Sequence, residues 1–119
     1  MQKINRTTQL LIDFDHKFIV HRMLFERSLR QKLNLIANLC GIAWTEVTIV
    51  ETNHGYHYTV TLDFPVHYTI ALNLQTLLGD DSMRCIFNLN RLLLGWSWKN
   101  SNLFFEENEK KLKGVWFNG

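Results

Sequence analysis

Glu51, His57 and Thr59 stand in the stretch TEVTIVETNHGYHYTVTLDF, residues 45 to 64, where an ordinary hairpin would carry apolar side chains. A carboxylate and an imidazole on facing strands can share one divalent ion, because directly opposed side chains have Cβ atoms about 5 Å apart. Their register decides whether they meet, since a slip of one residue carries every side chain to the other face of the sheet. A three-residue loop, Asn53 to Gly55 with Gly55 left-handed, would pair Glu51 with His57 and Ile49 with Thr59. A two-residue loop at His54 and Gly55 would instead put Glu51 beside Tyr58. The first is preferred because Tyr58, Val60, Leu62 and Phe64 then join Val50 on an apolar face. Glu51, His57, Thr59, Thr61 and Asp63 gather on the polar one.

The elements that must hold these residues follow from periodicity. TTQLLIDFD alternates as a first strand over 7–15, with Gln9 and Asp13 able to share the polar face. Residues 20–40 contain no Gly or Pro and repeat apolar side chains at 25, 29, 33, 36 and 40. They predict a helix ended by Gly41. Its Arg22, Arg27, Arg30 and Lys32 read as a solvated face. The hairpin spans about 44–52 and 56–64. Pro65 then opens a second helix that stops at Gly-Asp-Asp. SMRCIFNLN alternates as a fourth strand over 82–90, with Arg84 and Asn88 directed toward the polar face. RLLLGWSWKN receives no assignment. SNLFFEENEKKLKG has acids early, lysines late and a terminal glycine, so it predicts a late helix, and VWFNG a possible last strand. The order strand, helix, strand, strand, helix, strand is the split βαβ plan of an α+β, ferredoxin-like or RRM-like domain. Both helices lie on one face of its antiparallel sheet, and the other face is left for the site.

The chain has 119 residues, 46% hydrophobic and 20% charged. That suits a single domain over 1–119 and argues against disorder. A net charge of +2 gives no case by itself for a polyanion partner. Cys40 and Cys85 read as two buried free thiols. No signal peptide or membrane span is visible, so a soluble, intracellular protein is expected. His16, His21, His54 and His67 read as surface or packing residues. The four tryptophans read as core or interface, although Trp side chains can also stack on single-stranded bases. Trp116 and Phe117 suggest an oligomer contact.

An acid shortly before a glycine turn, a strand opening with His-hydrophobic-His, and a later helix with Tyr-x-x-Lys form the pattern of the HUH-type replication initiators, the Rep endonucleases. E-T-N-H-G-Y-H-Y-T, with Glu51, His57 and Tyr58, and N-E-K-K, with Lys111, resemble that pattern. In size and detail the chain is similar to the small Rep proteins of archaeal rod-shaped viruses. The resemblance implies an enzyme that nicks and rejoins single-stranded DNA at a viral replication origin or genome terminus, in the host cytoplasm, by way of a 5′-phosphotyrosine link. It assigns Glu51, His57 and Thr59 to the metal and Lys111 to phosphate, while Arg84 and Asn88, read onto the polar face, are expected to contact the DNA. A dimer is the expected assembly.

Two positions depart from the family pattern. Thr59 replaces the second histidine, which leaves a hard, oxygen-rich site suited to Mg²⁺ or Mn²⁺. Asn108 replaces the tyrosine nucleophile, and an amide cannot attack phosphorus. Either an active parent carries tyrosine at 108, or another tyrosine substitutes, or nicking has been lost and DNA binding kept. Outside the enzyme class, a non-catalytic nucleic-acid-binding module and a structural protein without a ligand are the alternatives.

Overall fold

The computed structural model describes residues 5–80, 82–102 and 110–118. Its element order is β1 (Arg6–Phe14), α1 (Ile19–Cys40), β2 (Trp44–Glu51), β3 (Tyr56–His67), α2 (Tyr68–Leu77), α3 (Ser82–Leu93), α4 (Trp98–Ser101) and β4 (Lys110–Asn118). The sheet order is β1-β3-β2-β4, with every neighbouring pair antiparallel. β1 and β2 therefore run parallel with β3 between them. This is the α+β split βαβ arrangement, joined by a C-terminal strand on the outer edge of β2.

Alternation along β1, β2 and β3 builds the core. Leu10, Ile12, Val47, Ile49, Tyr58, Val60 and Leu62 point to one face and are buried against Leu29 and Leu33 of α1 and Ala71 and Leu74 of α2. The spacing 71, 74, 78 places Ala71, Leu74 and Leu78 on one side of the second helix and its extension. Each large aliphatic side chain buried this way contributes roughly 1.5–3 kcal/mol of transfer free energy. Gly41, at φ 70°, ends α1 in the left-handed conformation that glycine adopts without a Cβ penalty.

Several expected boundaries move. Residues 82–90 form helix α3, not a strand: the alternation of Met83, Cys85, Phe87 and Leu89 coexists with Arg84, Asn88 and Arg91 at helical spacing, and burial of Arg84 and Asn88 selects the helical period. Pro65 lies inside β3, and α2 begins at Tyr68 with the His67 side chain accepting from Thr69 N. The β1–β3 register shifts between Thr7 and Gln9, so Pro65 falls in the irregular stretch of β3, where a residue without an N–H is tolerated. The late helix does not extend through residues 110–113, which belong to β4, while 103–109 lie outside the described residues. Both cysteines are free, but Cys40, the last residue of α1, is exposed and Cys85 is half-buried. Among the described residues, no helix is long and apolar enough to cross a membrane.

Candidate functional site

The hairpin closes in neither register considered from sequence. Thr52 N donates to Gly55 O at 2.9 Å, and Gly55 N donates to Thr52 Oγ1 at 2.9 Å, leaving Asn53 and His54 as the loop. Gly55 is not left-handed. A Cβ there would lie 1.9 Å from the Phe14 carbonyl oxygen, so glycine is required by the close approach of β1. The resulting register pairs Glu51 with Tyr56 and Val50 with His57.

Glu51 is thereby moved off the His57 face. It lies on the helix side, with Oε1 2.8 Å from Lys17 Nζ. Lys17 and Arg22 both sit over the Tyr56 ring, 5.5 and 4.7 Å from its centroid. Deeper on the same side, Arg22 Nε and the Tyr58 hydroxyl donate to Glu26 Oε1 at 2.7 and 3.0 Å. Burial, and then the Glu26 charge, push the Tyr58 phenol well above its ordinary value. For Arg22, burial pulls downward, but the bond to Glu26 and its charge leave the guanidinium raised overall.

His57 and Thr59 remain together on the opposite face, and their acidic neighbour comes from β1. His57 pairs with Asp13, and His57 Nε2 lies 3.4 Å from Asp13 Oδ1. His57 is only 3% exposed, so this part of the face is closed over, contrary to the open surface expected. The Asp13 side chain is 32% exposed and provides the approach from solvent. Across the sheet the register runs Asp13, His57, Val50, Lys111, which brings the Lys111 backbone into the same row. Asn108 lies outside the described residues.

Among the described residues, no three His, Cys, Asp or Glu side chains cluster as a ready metal site. Glu51, His57 and Thr59 do not fit one ion as a set, because Glu51 lies across the sheet. Asp13 and His57 supply a carboxylate oxygen and an imidazole nitrogen 3.4 Å apart, wider than the spacing of about 3.0 Å between neighbouring ligands of an octahedral Mg²⁺ at about 2.1 Å, so an ion held by both would draw the two side chains slightly together. The remaining positions would fall to water or to substrate oxygen, with Thr59 the next hydroxyl along the strand.

Arg84 and Asn88 are not on this face. Both are buried in a polar network along the outer edge of β1. Leu11 N donates to Gln75 Oε1 at 3.0 Å, Asp13 N to Asp80 Oδ1 at 2.8 Å, and Arg84 to Leu11 O at 3.2 Å. Asn102 Oδ1 accepts from Gln75, Arg84 and Asn88, and Arg84 meets Asp80 Oδ2 at 2.6 Å. These side chains satisfy the edge groups that a neighbouring strand would otherwise bond. Burial raises the Asp80 carboxyl against the opposing pull of Arg84 and the Asp13 N–H. By holding Asp13 N, the network also fixes the backbone that carries the carboxylate facing His57.

No protein-family model, curated protein or solved structure matches the chain.

Proposed function

We propose that this protein is a Rep-type replication initiator that binds single-stranded viral DNA, at an origin or genome terminus inside the host cell, with the help of Mg²⁺ or Mn²⁺. The observation that carries this reading is the 3.4 Å approach of Asp13 to His57 on the side of the sheet away from the core helices. It supplies the carboxylate and imidazole that the sequence resemblance requires, with Asp13 taking the place given to Glu51. A bound divalent ion would polarise a phosphate oxygen and stabilise the charge that develops there.

The chain's own groups would do the rest. Asp13 and His57 would hold the ion, and Thr59 would add a hydroxyl two residues along β3. The Lys111 backbone lies in the same register row, and the resemblance gives this residue to phosphate. In an enzyme with tyrosine at 108, the phenolic oxygen attacks phosphorus, forms the 5′-phosphotyrosine bond and releases a 3′-hydroxyl. Asn108 lacks that nucleophile, so this chain is expected to bind DNA without nicking it. The same amide favours the second reading, a non-catalytic DNA-binding module on this fold. Self-association suits the exposed apolar residues of α3.

The test is a nicking assay with Mn²⁺ on labelled single-stranded DNA from genome termini, comparing this chain with Asn108→Tyr. A covalent adduct formed only by the tyrosine variant supports the initiator. DNA binding without an adduct from either protein supports the module.

A further inference from the structure

A second cleft, of about 410 Å³, opens where the start of α2 meets the connection from α3 to α4. It lies far from Asp13 and His57. His57 and His67 are ten residues apart on one strand, which is about 30 Å at ordinary strand rise. Its volume is that of a small-molecule site. We propose that this cleft holds an unpaired nucleobase, with the adjoining phosphate met by arginine; the choice of single-stranded DNA as its source rests on the function proposed above.

The walls are flat and aromatic. Tyr68 and Trp98 stack with centroids 4.4 Å apart and planes 6° from parallel. Trp96 is 52% exposed, and the Arg91 guanidinium lies 5.7 Å from its ring centroid. Its position is fixed by the end of α3: Gly95, at φ 88°, donates to Leu92 O, and Trp96 N donates to Arg91 O. That pair of bonds is the Schellman arrangement, so the exposed indole projects from an anchored backbone. A stacking surface held this way loses little conformational freedom when a ring settles on it.

The polar groups select the ligand. His67 Nδ1 accepts from Thr69 N at 3.2 Å, which leaves the ring proton on Nε2 as a donor. Among the described residues that line the cleft, none is a carboxylate. Arg6 is exposed and paired in register with His67, and Arg91 lies over the Trp96 ring, so each guanidinium neighbours a residue that lines the cleft. Aromatic planes, a ring donor and nearby guanidinium groups are the features by which proteins hold single-stranded bases.

The experiment follows a labelled ten-residue oligothymidylate by fluorescence anisotropy, with chelator present so that no metal site contributes. Trp96→Ala should weaken binding about 5- to 150-fold, and Trp96→Phe should restore most of the affinity. Trp96 is half-exposed, and recovery of affinity by the phenylalanine variant separates loss of stacking from loss of the fold. Equal affinity of parent and Trp96→Ala, or no binding by the parent, would overturn the cleft assignment. Nicking by Asn108→Tyr with unchanged Trp96→Ala affinity would remove the cleft and keep the initiator. Trp96-dependent binding without any adduct would do the reverse.

Discussion

Tyr58 donates its hydroxyl to a carboxylate that it would repel if ionised. Because burial and Glu26 raise its folded pKa, its contribution to stability is intact below the unfolded value near 10 and is lost as pH rises beyond it. The expected loss is about 1.4 kcal/mol per pH unit above 10. Urea midpoints at pH 8 and pH 11 should therefore fall further for the parent than for Tyr58→Phe. Glu51 is a different case: its ion pair with Lys17 is more than a third exposed, so Glu51→Gln should cost less than about 1 kcal/mol in thermal unfolding. Asp13 and His57 were visible in the sequence as residues able to share a face. Their direct pairing was not, because it depends on a one-residue choice in a turn whose decisive contact, Gly55 against Phe14 O, is remote in sequence.

The elements show the same division between local and remote causes. β1, α1 and the two hairpin strands were legible because alternation, helical spacing and Gly41 act within a few residues. α3 was not, since its buried side is polar and gains its partners from β1, Asp80 and Asn102. Asp80 reaches that network from the Schellman turn at Gly79, where Gly79 N bonds Thr76 O and Asp80 N bonds Gln75 O. Asp80→Asn leaves the Arg84 charge buried without its carboxylate and should destabilise by about 3–5 kcal/mol, measured by urea unfolding. Gly55→Ala must displace the β1 end and should cost about 1–3 kcal/mol. If its unfolding midpoint matched the parent's, the tight hairpin described above would be wrong.

At the scale of the molecule, the outward side of α3 and its extension exposes Ile86, Phe87, Leu89, Leu93 and Leu94. At about 200 Å² per fully exposed large side chain, this is on the order of 600 Å², near what one partner buries in a stable interface. Light scattering should return the mass of two chains, and Leu93→Glu should shift it toward one; a monomeric parent would exclude this surface as a dimer contact. The proposed active centre is most directly tested in the Asn108→Tyr background, by measuring Mn²⁺-dependent protein–DNA adducts for His57→Ala, Asp13→Asn and Glu51→Gln. Adduct formation should be lost with the first two substitutions and retained with Glu51→Gln. Loss with Glu51→Gln and retention with Asp13→Asn would contradict the site built on Asp13 and His57.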